Sequence, residues 1–195
     1  MHKENHNVEA AHASIRDQEI LLADASVEQL DVLLAGLRAG VIVKLVTGND
    51  DAIQMFADAL MHPRLDTLHV LGHGAPGEVI LGAHKININT LLQIQKHLDL
   101  GSFAVSENAQ LTEPSLLTDN TRAQISLWSC QTGGEQSGEA FINALAQMTR
   151  TDVFASAGFV GNTAKGGTWN LEKSAHPRHD APFDGVPSGG GVGGK

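Results

Sequence analysis

The chain has 195 residues, of which 42% are hydrophobic and 18% charged, a composition typical of one globular domain rather than of a disordered or fibrous protein. The net charge of -9, with 13 Lys and Arg, provides no strong field to attract a phosphate backbone, so nucleic acid is not expected as a partner. No apolar run reaches the roughly 18 residues of a membrane helix, and the start, MHKENHNVEAAHAS, lacks the apolar core of a signal peptide.

Cysteine occurs once, at Cys130, which excludes an internal disulfide and thiolate metal clusters. We expect neither a metal nor a cofactor. Residues 1–18 and the Gly/Pro-rich tail 174–195 have the composition of disordered segments, so the predicted domain is 19–173.

The first third of the chain alternates apolar runs with helical patterns. Strands are predicted over 19–24 and 41–47. Ser26 and Gln29 have the spacing of a capping box, and apolar residues recur at helical spacing up to Leu37, which predicts a first helix. Asn49 or Asp50 can cap a second helix that ends at Leu60.

The rest of the chain continues the alternation. A third strand is predicted over 67–72, followed by two short β segments at 78–81 and 85–88 joined as in a hairpin. Predicted next are a helix at 89–98, a long polar loop at 101–122, a strand at 123–129, a helix at 137–148, a strand at 152–156 and an edge strand or hairpin at 166–172. Near-continuously apolar strands that alternate with helices predict an α/β fold, a three-layer αβα sandwich with a mostly parallel sheet of five or six strands.

Two chemically active side chains follow predicted strands. His73 ends the third main strand and Cys130 the fourth, and the carboxyl ends of parallel strands meet at one edge of a sheet. Gly74 directly follows the histidine, which lets the backbone approach a substrate carbonyl closely. A thiol and an imidazole brought together in this way are the elements of nucleophilic catalysis.

Each residue alone has a simpler interpretation. A lone cysteine is more often a small buried hydrophobe, and a histidine is often only a polar strand terminus. His69 offers another pairing with His73, but four residues of a strand span about 13 Å, so the two cannot share one metal ion. His69 is therefore expected in the core or on a face of the sheet.

The segments LGHGAPGEVILG, ISLWSCQTGGEQSGEAFINALAQMTRTDVFASAGFVGN and GGTWNLE resemble a bacterial domain of unknown function found in very large surface adhesins. That domain is considered a relative of the cysteine peptidase clan that holds caspases, gingipains, separase, clostripain and the self-cleaving domains of bacterial toxins. The similarity runs in order from about Ile20 to Glu172. It implies a caspase-like fold and a bacterial secreted or surface-associated protein, although a cytoplasmic one is compatible with the sequence.

The resemblance also implies roles for residues. His73 would be the general base, Cys130 the nucleophile, and the backbone N–H groups of Gly74 and Cys130 the oxyanion hole. Asp24 and Ser156, at predicted strand ends, would line the substrate pocket, where Asp24 would favour a basic side chain. An equally good interpretation is that Asp24 caps the first helix or turns the chain before it. The sequence departs from the family at Gly72, where Ser is common, and at Trp128-Ser129, where Tyr-Gly is common.

The sequence thus predicts a cysteine endopeptidase that acts on a peptide or protein, including its own chain or a tethered neighbour, with 101–122 or the tail as segments that could be cut. The toxin domains need inositol hexakisphosphate, but the cationic residues here are spread along the chain, so no such activator is expected. The alternative is a catalytically silent binding or structural module of a surface protein. A nucleotide-binding domain is disfavoured, because LLADASVEQL stands where a Gly-rich phosphate loop would follow the first strand.

Overall fold

A computed structural model describes residues 18–106 and 123–177. The first half contains β1 (Gln18–Asp24), α1 (Leu30–Ala35), β2 (Ile42–Val46), α2 (Ala52–Leu60), β3 (Leu65–Leu71), β4 (His73–Ala75), β5 (Glu78–Leu81) and β6 (His84–Asn87). The second half contains α3 (Leu91–Ser106), β7 (Gln124–Trp128), α4 (Glu135–Thr149), β8 (Asp152–Ala155), a 3-10 turn (Thr163–Lys165) and β9 (Lys173–Ala175). The segments expected to be disordered or cleaved lie outside the described residues over 1–17, 107–122 and 178–195.

The main sheet has six strands in the order β2-β1-β3-β7-β8-β9. Its first five strands are parallel, and β9 is antiparallel to β8. A second, small antiparallel sheet has the order β4-β5-β6. The predicted α/β fold, with a mostly parallel sheet of five or six strands and a small hairpin, is confirmed.

Strict alternation along the strands divides the interior into two layers. Ile20 and Leu22 of β1 face the large core, which also contains buried side chains of α2, α3 and α4. Leu21 and Ala23 face the other side, where the described cover comes from α1 and its flanking residues. The molecule is therefore a three-layer sandwich whose two faces are unequally covered.

The first helix differs from the prediction. Gln29 precedes α1 in a left-handed conformation with φ of 57°, and no side chain caps the helix. The capping box at Ser26 does not form, because the Asp24 carboxylate accepts the Ser26 backbone N–H and the Ser26 hydroxyl contacts His73. Tertiary partners thus outweigh the local helix signal, and α1 is only 6 residues long.

The boundaries of two other helices also differ from those predicted from the sequence. Asp51, not Asn49 or Asp50, caps α2, and the Asp50 carboxylate instead accepts the Thr47 N–H and hydroxyl. Helix α3 continues to Ser106, so 101–106 is helical rather than loop.

At the carboxyl end, the predicted edge strand at 166–172 is reduced to a single bridge between Val160 and Thr168. The edge is formed by β9, whose Ser174 and Ala175 were expected at the start of the tail. Ala175 is buried in the core, which explains why the chain remains ordered there. In the part of the chain that the structure describes, no helix combines the length and apolar character needed to cross a membrane.

Gly82 between β5 and β6 should be a point of high sensitivity. Its φ is +56°, and a Cβ added there would lie 2.3 Å from the carbonyl oxygen of Thr47. We expect Gly82→Ala to lower the free energy of unfolding by about 2 to 4 kcal/mol, the sum of left-handed strain and overpacking. Gly40→Ala is the matched control, because Gly40 also has positive φ but has no atom within 4 Å of an added Cβ. Urea unfolding followed by circular dichroism measures both, and equal losses would contradict the steric explanation.

Candidate functional site

The two central strands of the sheet bring the predicted dyad to the same level. Strand β3 pairs with β7 in parallel, with Leu71 opposite Trp128. His73 and Cys130 each follow these partners by two residues, and neighbouring strands lie about 4.8 Å apart. The structure therefore places both residues at adjacent positions on the carboxyl edge of the sheet.

His73 lies where the chain passes from the large sheet to the small one. The backbone turns at Gly72, whose N–H donates to the Trp128 carbonyl at 3.3 Å, and His73 opens β4. The imidazole is exposed, and its Nε2 lies 3.3 Å from the hydroxyl oxygen of Ser26. The predicted strand end is thus a bend into a second sheet, which presents the ring to solvent.

Cys130 lies in a turn that is fixed by backbone hydrogen bonds to the segment after β8. The Gln131 N–H donates to the Gly158 carbonyl at 2.7 Å, and the Gly133 N–H donates to the Ser156 carbonyl at 2.9 Å. Gln131 has φ of 60°, a left-handed conformation that is strained for a non-glycine residue. The half-buried thiol of Cys130 donates to the Val160 carbonyl, with Sγ 3.8 Å from the oxygen.

Gly74 is required by its neighbour. A Cβ added at this position would lie 2.6 Å from the Thr132 hydroxyl oxygen and 2.7 Å from the Cys130 carbonyl oxygen. Only glycine lets β4 lie against the cysteine turn. Of the two predicted oxyanion donors, the Cys130 N–H makes no hydrogen bond within the described ranges, and Gly74 lies within β4, opposite Val79.

An open groove of about 610 Å³ contains both members of the dyad. His73 and Cys130 lie on its walls, together with Val32 and Val160. The groove is also walled by Trp128 and Trp169, whose ring centroids are 6.2 Å apart. A peptide strand can therefore lie across the edge in contact with both catalytic candidates.

Asp24 is a structural carboxylate rather than a wall of this groove. It is only 2% exposed, and its two oxygens accept the Ser26 N–H at 2.8 Å and the Gly82 N–H at 2.9 Å. Burial raises the pKa of Asp24, but the Ser26 N–H and hydroxyl, the Gly82 N–H and the charge of His73 together lower it below its usual value. Asp24 is therefore not available to bind a basic substrate side chain, and of its two sequence interpretations the turn is the one that the structure supports.

Ser156 is also buried, with no exposed surface. Its hydroxyl accepts the Gly158 N–H at 3.1 Å, and its carbonyl accepts the Gly133 N–H. It positions the cysteine turn and does not contact the groove. The structure thus joins His73, Cys130 and Gly74 but keeps Asp24 and Ser156 beneath the surface.

Sequence reasoning missed two contributors. Ser26 carried only a helix-capping signal, although its hydroxyl contacts His73. Trp169 belonged to the predicted edge strand, but nothing in the sequence indicated that its ring would lie beside Trp128. His69, as expected, lies on a face of the sheet, where it is bonded to Glu19 and Trp128. Among residues 18–106 and 123–177, no three side chains of His, Cys, Asp or Glu form a group that could hold a metal.

The profile of a protein family described as a domain of unknown function, DUF4347, matches residues 20–184, which is most of the chain. The chain belongs to this family. The matched range includes both strands of the candidate dyad and the small sheet that supports them. No curated protein and no solved structure matches the chain significantly.

The buried Asp24 predicts a specific pH dependence of stability. Because its folded pKa lies below the unfolded value near 3.8, its contribution is fully present above that value and is lost as pH falls through the folded pKa. We expect Asp24→Asn to lower the free energy of unfolding by about 2 kcal/mol at pH 7, since an amide NH₂ faces one of two backbone donors.

Urea unfolding of both proteins between pH 7 and pH 3 measures this difference. It should be constant down to about pH 5 and should shrink below about pH 4. Asp31→Asn is the control, because Asp31 is exposed on α1 and its change should stay within about 0.5 kcal/mol. A difference between wild type and Asp24→Asn that does not change with pH would contradict the assignment.

Proposed function

We propose that this domain is a cysteine endopeptidase of the caspase-like type, with His73 and Cys130 as its dyad. The observation that carries the proposal is their equivalent placement, two residues beyond the paired Leu71 and Trp128, on the walls of one open groove. The sequence resemblance to caspase-like peptidases supports the same assignment. Its substrate is a peptide segment of its own chain or of an associated surface protein.

In the first half of the reaction, His73 takes the thiol proton of Cys130 as the sulfur attacks the carbonyl carbon of the scissile peptide bond. The carbonyl π electrons move to oxygen, and the resulting oxyanion accepts hydrogen bonds from the backbone N–H groups of Cys130 and Gly74. The Cys130 N–H has no other partner in the described ranges. The oxyanion then re-forms the carbonyl, the C–N bond breaks, and the His73 imidazolium gives its proton to the leaving amine. A thioester on Cys130 and a free amine result.

In the second half, water attacks the thioester carbon while His73 takes one of its protons. The C–S bond breaks, the acid is released, and the imidazolium returns the proton to the sulfur. No oxidant, metal or further reactant is needed. Net, one water is consumed and one peptide bond is replaced by an acid and an amine.

Ser26 and Asp24 supply the orientation that a dyad lacks. Ser26 holds Nε2 of the imidazole at 3.3 Å, which leaves Nδ1 for proton exchange with the thiol and the amine. The Asp24 carboxylate beneath Ser26 is favoured in its charged form and interacts electrostatically with His73. A fixed negative charge at this position stabilises the imidazolium that forms in each half-reaction.

The alternative is a silent binding module that keeps the fold without turnover. One observation favours it: the Cys130 thiol donates to the Val160 carbonyl, and the His73 ring contacts Ser26, so each group has a partner other than the opposite member of the dyad. Catalytic hydrogen bonds in unliganded enzymes are often formed only on substrate binding, which makes activity the deciding measurement.

Hydrolysis of fluorogenic peptides and labelling by a peptide chloromethyl ketone test the dyad. We expect Cys130→Ala to abolish both, and His73→Ala to lower both by at least about 100-fold, the usual contribution of a general base. His62→Ala is the matched control, because His62 lies at the opposite end of β3, before the strand begins, and should leave both rates unchanged.

Circular dichroism of each variant verifies its fold. Self-cleavage of the full chain, followed on a gel, adds a readout that needs no added substrate. Wild type that neither cuts any peptide nor reacts at Cys130 would rule out the peptidase and leave the binding module.

Ser26 should act as a positioning residue. We expect Ser26→Ala to lower kcat about tenfold with little change in KM, because the loss of one hydrogen bond to the histidine costs about 1.4 kcal/mol in the transition state. Ser26→Thr retains the hydroxyl and should restore most of the rate. The pH profile of Cys130 labelling should change in Ser26→Ala but not in Ser26→Thr, and unaltered kinetics in the alanine variant would exclude this role.

A further inference from the structure

A second cavity of about 440 Å³ lies on the α1 face of the main sheet. We call it the α1 pocket. Its apolar walls come from the strands and from the helix with its flanks: Leu21, Leu33, Leu34, Leu37, Val41 and Leu71. It exists because the short α1 covers this face only in part and buries none of its own residues fully.

The polar side chains that line the α1 pocket are hydrogen-bonded to one another. The Arg38 guanidinium pairs with Glu19, and Nε2 of His69 lies 3.4 Å from the same carboxylate. The Trp128 indole N–H donates to Nδ1 of His69 at 3.2 Å, which assigns the ring hydrogen to Nε2. These heteroatoms already have partners, so the pocket offers an incoming group mainly apolar surface.

The same groups leave the pocket without a net charge. Burial lowers the pKa of His69, consistent with a neutral ring. Burial raises the pKa of Glu19, but the hydrogen bonds and charges of Arg38 and His69 outweigh it, so that the pKa lies below its usual value. The carboxylate is therefore ionised and balances the charge of the Arg38 guanidinium. A basic or acidic group that entered would lose its hydration without gaining a free counter-charge.

The α1 pocket adjoins the groove of the candidate dyad. The two cavities share the walls Leu33, Leu71, Trp128 and Trp169. Leu71 and Trp128 are the paired residues that precede His73 and Cys130 by two positions. The α1 pocket therefore lies next to the position that the side chain of a peptide bound in the groove would occupy.

We propose that the α1 pocket is the specificity pocket of this site and takes a large apolar side chain, phenylalanine or leucine, of a bound peptide. The inference rests on the proposed function for its link to cleavage but not for binding itself. It replaces the basic preference expected from Asp24, whose oxygens are both occupied. A volume of about 440 Å³ lies within the range of cavities that hold small ligands, and two indole rings on its walls suit an aromatic guest.

Intrinsic fluorescence offers a direct measure of binding. The chain has only two tryptophans, Trp128 and Trp169, and both lie on the walls of the α1 pocket. Cys130→Ala protein would be titrated with N-acetylated tetrapeptide amides that differ at one residue: Phe, Leu, Lys or Asp. We expect the Phe and Leu peptides to change the emission and to bind at least about tenfold more tightly than the Lys and Asp peptides.

A charged substitution in the wall tests the location. Leu37→Asp, at a position 37% exposed, should remove the preference for Phe and Leu. Leu92→Asp is the matched control: Leu92 is 67% exposed on α3, which packs on the opposite face, and the preference should be unchanged. If Leu37→Asp fails to fold, the peptide series on Cys130→Ala still decides the inference.

The outcomes separate the two proposals. Preferred binding of Phe and Leu peptides without any hydrolysis by wild type supports the pocket and overturns the peptidase. Hydrolysis with a preference for Lys, or with none, supports the peptidase and overturns the pocket. Equal affinity for all four peptides, or none for any, also overturns the pocket.

Discussion

The in-register pairing of β3 with β7 is the contact on which the candidate site depends. These are the two central strands of the six, and their alternating side chains divide between two cores. Leu68 and Ile125 face the same layer as a cross-strand pair, as do Val70 and Leu127. A slip of one residue would turn a strand's apolar residues to the wrong face, so core packing excludes it. The same packing therefore keeps His73 and Cys130 at equivalent positions beyond the two strands.

The small sheet is the second support, since it holds both turns of the site. Asp24, which fixes Ser26 beside His73, accepts the N–H of Gly82 at the turn between β5 and β6. The cysteine turn is joined to the same sheet by Thr132, whose hydroxyl donates to the Glu78 carbonyl at 3.0 Å. The same small sheet thus contacts the residues that position His73 and those that form the cysteine turn. Gly74 lets its first strand come close enough to do so.

How far the sequence predicts this molecule depends on the range of the interactions that decide each part. Strands such as β5 are found because β-branched and apolar runs are local signals, and the paired edge follows from parallel topology. Ser26 is mispredicted because its hydroxyl is used by His73, 47 residues away, rather than by the helix that it precedes. Strand β4 is missed because glycine and proline beside His73 indicate a turn, whereas pairing with β5 makes a strand. The sequence leaves Asp24 open between a pocket residue and a turn residue, because it contains no sign that the N–H of Gly82 will bond to its carboxylate.

The unequal cover of the sheet explains why the α1 pocket and the groove of the candidate dyad share wall residues. On the face of α2, α3 and α4 the described strand side chains are buried in the large core. On the α1 face, a helix of 6 residues leaves the strand side chains partly open, and the cavity reaches the edge where the strands end. Trp128 stands at that junction: its indole N–H is held by His69 within the pocket, and its backbone leads in two residues to Cys130. Trp128 therefore lies on a wall of both cavities and precedes, by two residues, the turn that contains Cys130.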